Sequence, residues 1–292
     1  MKKEIVLYHG SENIIQKPIY GAGNKHNDYG LGFYCTENID LAKEWAVSSS
    51  DKNGYANKYI LDTTNLKVLD LSSPQYNILH WITILLENRV FTLKNDISKA
   101  GKEYLLENYS IPYKEYDVIK GYRADDSYFA FAETFLNNTI SCQRLAQALK
   151  LGKLGEQIVL KSQKTFDQIK YISNEEADAA TYYPLRKQRN EMARLEFLNN
   201  KEGVFRKDAI YLIELIRGDI DNNDPRLQWL LSTICTRKAR RNLRVSLLCR
   251  EYGHRWVFKS ILQIIYIKSI WRRRPNLYSR KILFRTIFSN HK

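Results

Sequence analysis

Cysteine, proline and methionine are scarce in this chain: its 292 residues hold four, six and two of them. Cys35, Cys142, Cys235 and Cys249 stand 107, 93 and 14 positions apart, with no CxxC pair and no histidine at zinc-ligand spacing. That pattern speaks against a structural metal and against a disulfide framework. It suits a reducing, cytoplasmic setting. Long apolar runs are also missing. The best stretch, residues 256–271, is interrupted by Lys259 and Lys268, short of the ~18 unbroken apolar residues of a transmembrane helix. At the start, Lys2 and Lys3 precede only four apolar residues before His9, too few for the apolar region of a secretory signal. No transmembrane segment is expected.

Acidic residues are almost absent from one end. From Arg226 to Lys292 there are 17 Lys and Arg against the single acid Glu251, a net of +16; residues 1–225 hold 29 basic and 31 acidic side chains, a net of −2. The formal +14 of the whole chain therefore belongs to a tail. Such asymmetry marks an arm for nucleic acid, a membrane surface or an acidic partner. With 44% hydrophobic and 27% charged residues, the chain as a whole has the composition of a globular protein and not of a disordered or fibrous one.

The chain has no internal repeat or low-complexity block. Apolar runs at 4–8, 33–36, 55–62, 66–71, 156–161 and 168–172 predict strands. The four glycines of residues 21–32 predict a loop capable of tight turns and close approach to a ligand. Helices are predicted at 39–48 with Asn38 as N-cap, 75–87, 97–108, 127–136, 143–149, 175–199 and 209–217. The turn-rich, acidic stretch 219–225 marks a boundary. It separates a domain over 1–224 from a basic extension over 225–292. Strands at both ends of the first 175 residues, with helices between, predict an α+β domain in which distant segments share a sheet.

Three short motifs carry chemical information, in this order: Leu7-Tyr8-His9-Gly10-Ser11, Gly30-Leu31-Gly32-Phe33-Tyr34, and Gly155-Glu156-Gln157-Ile158-Val159-Leu160. The trio resembles the His, Tyr, Glu triad of ADP-ribosyltransferases related to diphtheria toxin and the poly(ADP-ribose) polymerases. It is most similar to a little-studied bacterial, toxin-like group of that fold sharing the first two motifs. The likeness runs to about Asp224, includes Gly121-Tyr122-Arg123-Ala124-Asp125-Asp126, and leaves out the tail. It implies a split, mixed β-sheet core with flanking helices and NAD as co-substrate, without a metal.

By the same resemblance, Glu156, Tyr34 and His9 are the catalytic candidates. His9, Gly10, Ser11, Tyr34, Trp45 and Arg123 are the cofactor-binding candidates. Trp45 lies 11 residues beyond Tyr34, where the polymerases carry a second aromatic that stacks on nicotinamide. Ala42 stands at the family's serine position, so one hydrogen bond to the carboxamide is missing or supplied elsewhere.

The chemistry accounts for those residue types. Breaking the bond between nicotinamide and ribose leaves an oxocarbenium-like sugar, which a nearby carboxylate stabilises. Glu156 is the candidate, and Glu133, Glu175 and Glu176, none of which opens a strand, are its neighbours in rank. A cationic ring is held well on aromatic faces, the expected task of Tyr34 and Trp45. His9 is expected to hydrogen-bond the adenosine ribose, and the backbone of Gly10 the carboxamide, since no Cβ blocks the approach. Neither a GxGxxG between strand and helix nor a GxxxxGK[ST] is present, in line with a site that needs no such loop.

Structural roles compete with each of these: a hydrogen-bonding histidine, two core aromatics among 20 tyrosines and five tryptophans, and an edge glutamate. Arg123 either meets the NAD diphosphate or the acceptor, or pairs with Asp125 or Asp126. The loop carrying Lys25 and His26 is expected to lie over the cofactor.

In the tail, the arginine clusters at 237–241 and 272–274 are interleaved with Trp229, Trp256, Tyr266 and Trp271. That suits phosphate binding with base stacking, RNA favoured over DNA. Residues 256–271 also read as a basic amphipathic helix for anionic lipid or a partner's groove, or as an appendage that requires a partner or chaperone. The expected function is a bacterial mono-ADP-ribosyltransferase, a toxin of a toxin–antitoxin or phage-defence system neutralised by a cognate antitoxin. The alternatives are a protein acceptor, a non-catalytic binding module on the same fold, and NAD-dependent removal of an RNA 2′-phosphate.

Overall fold

The computed structural model describes residues 4–124, 126–149, 155–199 and 209–218, together with 220, 224 and 227. All fall within the first of two units, Met1–Ile234. The basic tail read as helical, and Asp125 of the Gly121 motif, lie outside the described residues.

Two sheets form the frame. The first is antiparallel, in the order β1 (Glu4–Ser11), β3 (Gly54–Asp62), β7 (Ile169–Ala177). The second is mixed, in the order β2 (Phe33–Cys35), β6 (Glu156–Leu160), β5 (Val118–Tyr122), β4 (Val68–Asp70), with β4 and β5 parallel. Ile5, Leu7, Tyr59 and Leu61 of the first sheet pack against Cys35, Val118, Ile158 and Leu160 of the second. A bridge between Tyr8 and Thr36, with reciprocal backbone bonds of 2.8 and 2.9 Å, joins the sheets at one end.

β6 is buried at four successive positions, 157–160, the pattern of a strand covered on both faces. Its second face, with Val159, Ile119 and Leu69, meets α2 (Ile78–Asn88), α3 (Asp96–Asn108), α4 (Asp126–Leu136) and α5 (Cys142–Ala148) in the larger core. α8 (Leu212–Ile216) adds Leu212 and Leu215 to that core. The class is α+β.

Helix α1 (Ile39–Ala46) starts where predicted: the Asn38 side chain accepts from the backbone N–H of Asp40 and Leu41, satisfying two donors of the first turn. Three elements differ from expectation. Residues 118–122 form β5, a strand that flanking charges and Gly121 concealed. Gln163–Gln168 form the short helix α6, so β7 starts one residue later than predicted.

Finally, β7 runs on to Ala177 where a helix was expected from Glu175. Glu175 and Glu176 pair with Ala56 and Tyr55, and their carboxylates are met by Lys43 Nζ at 2.8 Å and Asn53 Nδ2 at 2.9 Å. Polar partners at the sheet edge thus outweigh the helical propensity of glutamate. Helix α7 (Ala179–Asn199) begins only after Asp178, whose carboxylate accepts from the Thr181 N–H at 3.0 Å.

Among the described residues no helix is long and apolar enough to cross a membrane. None of them forms a group of three or more His, Cys, Asp or Glu that could hold a metal ion.

Candidate functional site

A cleft of about 290 Å³ opens between the end of β1, α1 and the strand ends of β5 and β6. His9 and Gly10 line it from β1, Tyr34 from β2, Trp45 from α1 and Arg123 from the segment after β5. Five residues singled out from sequence are thus brought together from segments up to 114 positions apart in the chain (9 to 123). Ser11 and Glu156 are not among the lining residues.

Gly10 has a packing reason of its own. A Cβ there would stand 2.0 Å from the Ala42 carbonyl oxygen and 2.8 Å from the Ala46 nitrogen. Both are backbone atoms, so any larger residue pushes α1 away from β1. The close contact buries Ala42 fully. Ala42 therefore serves the contact between strand and helix.

His9 is held in one state. Its Nδ1 lies 2.7 Å from the Tyr34 carbonyl oxygen, which can only accept, so the proton sits on Nδ1. The ring stacks on Phe33 with centroids 4.2 Å apart. Burial, opposed by the Tyr34 bond, lowers its pKa. His9 is neutral near pH 7, with Nε2 left as an acceptor.

Tyr34 organises the glycine-rich loop. Its hydroxyl donates to Gly30 O at 2.6 Å and accepts from Tyr29 N–H at 3.0 Å, while Gly30 takes φ +74° in the turn. Burial pushes this phenol's pKa up, so it stays protonated. Tyr29 in turn donates to Tyr122 O at 2.8 Å and receives a bond from Lys161 Nζ at 2.5 Å. Burial pushes that ammonium down to about 8.

The structure adds residues that sequence reasoning missed. Asp28, 6% exposed, ties three segments together. Its Oδ1 meets Arg89 Nη1 at 3.1 Å; its Oδ2 accepts from Ala124 N–H at 2.8 Å and Gln157 Nε2 at 2.9 Å. Burial raises its pKa against the pull of those donors. Asn27 and Asp28 line the cleft, whereas Lys25 and His26 of the same loop are exposed and do not. A loop aspartate and the C-cap residue of α2, Arg89, carry no motif. Arg186 and Asn190 of α7 complete the lining and were equally silent in sequence.

Arg123 lies over Trp45 with its guanidinium carbon 4.5 Å from the ring centroid, a cation–π stack. Glu156 opens β6 opposite Tyr122. Its carboxylate is 3.0 Å from Lys120 Nζ, which also has Glu37 at 3.8 Å. Burial works against the Lys120 charge, yet Glu156 and nearby carboxylates hold its pKa above the usual value.

Cross-strand partners share a sheet face and neighbours along a strand alternate. Tyr34 pairs with Val159, so Gln157 shares the Tyr34 face and Glu156 the opposite one, with Ile158 and Cys35. Gln157 is the β6 residue that lines the cleft. Ser11, at the end of β1, accepts from Asn13 N–H at 3.1 Å. Glu133 of α4 and the β7 pair Glu175 and Glu176 are likewise outside the cleft lining.

The charge of the lining is lopsided. Arg89, Arg123 and Arg186 face one carboxylate, Asp28, a formal +3 against −1, or net +2 with His9 neutral. An anionic ligand carrying a flat aromatic ring fits this donor set.

An α+β protein with a cationic, aromatic-walled cleft is the class that fold and site define. Residues 5–171 match the family described as "Protein of unknown function (DUF3990)". The chain belongs to that family. No curated protein and no solved structure matches it.

Proposed function

We propose that the protein is an NAD-dependent mono-ADP-ribosyltransferase of the His-Tyr-Glu type, with NAD as co-substrate in this cleft. The observation that carries the proposal is the makeup of the lining: a net +2 of arginine charge, a neutral histidine offering Nε2, and the Trp45 face, all beside the strand that Glu156 opens. NAD matches each part. Its diphosphate bears two negative charges, its ribose hydroxyls donate, and its nicotinamide ring is flat and cationic.

When bound, NAD supplies a glycosidic bond whose electrons leave with nicotinamide, and an acceptor lone pair closes on the ribose carbon as the acceptor loses a proton. His9 accepts from a ribose hydroxyl. Tyr34 and Trp45 position the ring, and Glu156 stabilises positive charge on the sugar and takes up the acceptor's proton. The +16 tail favours nucleic acid, RNA before DNA, as acceptor. The motif likeness to toxin-like bacterial proteins favours a cytoplasmic toxin held in check by an antitoxin protein.

One observation favours a second reading, a non-catalytic NAD-binding module: the Glu156 carboxylate is engaged by Lys120 on the sheet face away from Tyr34. Incubating the protein with labelled NAD and cell extract, followed by separate nuclease and protease digestion, decides between them. The expected result is label released by nuclease, with transfer reduced at least about a hundredfold in Glu156→Gln while NAD binding persists. Label released by protease alone makes a protein the acceptor. Binding without nicotinamide release supports the module, and full activity of Glu156→Gln removes that residue from catalysis.

A further inference from the structure

We infer that Gln157 presents its amide oxygen to the cleft as a fixed hydrogen-bond acceptor, and that this acceptor reads the amino group of the nicotinamide carboxamide. Gln157 is thus the specificity residue by which the cleft tells a ring bearing an N–H donor from one without. The inference rests on the cleft being the NAD site.

Gln157 is 3% exposed, on a strand whose next three residues are apolar, and it lines the cleft. A buried amide costs free energy unless both of its ends find partners. The nitrogen finds two: Nε2 donates to Asp28 Oδ2 at 2.9 Å and to Tyr122 O at 3.2 Å. A backbone carbonyl can only accept, so the nitrogen and not the oxygen must face Tyr122. Asp28 is itself anchored from two further segments, by Ala124 N–H on Oδ2 at 2.8 Å and by Arg89 Nη1 on Oδ1 at 3.1 Å. The amide cannot turn over without losing both of its bonds. Among the described residues nothing donates to Gln157 Oε1, which is the end of the amide left for a ligand.

The sheet register places this acceptor near the nicotinamide end of the ligand. Tyr34 lies opposite Val159, and Gln157, two residues along β6, stands on the same face about 7 Å away by the rise of a strand. A ring set against Tyr34 carries its carboxamide on that side. The carboxamide holds the one amino group of the nicotinamide half of NAD; the other amino group belongs to adenine, at the far end of the dinucleotide. An amino group has two N–H donors, so a bond to Oε1 is compatible with the one expected to the Gly10 backbone. His9 Nε2, the other acceptor held in one orientation, remains for a ribose hydroxyl.

Calorimetric titration of the full chain with NAD and with its acetylpyridine analogue, in which a methyl ketone replaces the carboxamide, tests this. The two dinucleotides share their charge and their carbonyl and differ in the amino group alone. The unmutated chain should bind NAD about tenfold tighter or more, because the analogue leaves a buried acceptor unpaired. In Gln157→Met, similar in length and without an amide, the preference should shrink to within about twofold, whatever affinity is lost by both ligands alike. Equal binding of the two by the unmutated chain overturns the inference without recourse to a variant, and leaves the NAD reading standing. A preference that survives in Gln157→Met overturns it as well, since the amino group is then read elsewhere. Failure of the unmutated chain to bind either dinucleotide at millimolar concentration overturns the cleft's reading as an NAD site and this inference with it.

Discussion

At the scale of single residues, the bond from His9 Nδ1 to the Tyr34 carbonyl couples two positions 25 apart in the chain and sets what each can offer. The histidine is fixed as a neutral acceptor, and the tyrosine's hydroxyl is committed to the loop at Gly30. Because burial depresses the folded-state pKa of His9, the unfolded chain takes up the proton first as pH falls. The stabilisation is complete above the unfolded value of about 6.5 and is lost as pH drops from there toward the folded value, at no more than about 1.4 kcal/mol per pH unit for one histidine. His80, also depressed by burial, acts in the same direction.

Chemical denaturation between pH 7.5 and 5.5 should therefore show declining stability, with a shallower decline in His9→Gln; identical slopes in the two proteins would contradict a buried neutral His9. That His9, Gly10, Tyr34 and Trp45 share one cleft was legible in sequence for the first three through their motifs, and for Trp45 through the resemblance that sets an aromatic 11 residues beyond Tyr34. Asp28 and Arg89 were not, since a buried ion pair between a loop and a helix end leaves no periodic trace.

At the scale of elements, most strands and helices follow from apolar alternation and from caps such as Asn38. The departures cluster where polar contacts between distant segments decide: β7 continues through Glu175 and Glu176 because Lys43 and Asn53 lie opposite. The Glu156 and Gln157 pair shows the limit sharply. A strand's alternation is readable, but which of two neighbours faces a cleft depends on the register with β2, here Tyr34 opposite Val159.

α7 depends on the pair between Glu44 and Arg189. Removing the arginine strands a buried carboxylate, so Arg189→Leu should cost about 3 kcal/mol, and adding Glu44→Leu should recover much of it. Denaturant unfolding that finds Arg189→Leu within about 1 kcal/mol of the unmutated protein would show that α7 is held by its apolar contacts instead.

For the whole molecule, composition divides the chain into a part of net −2 and a tail of net +16, while the lining of the cleft carries a net +2. Under the proposed function, the tail charge serves acceptor binding and the cleft charge holds the co-substrate. The two sheets, joined at Tyr8 and Thr36, carry β1 and β2 side by side, which is how motifs at positions 9 and 34 meet.

The most direct measurement is a calorimetric titration of the full chain with NAD. Saturable binding of one NAD per chain, weakened about tenfold or more by His9→Ala, is the predicted result. Absence of binding at millimolar NAD, or equal affinity in the His9 variant, would contradict the assignment of the cleft to NAD.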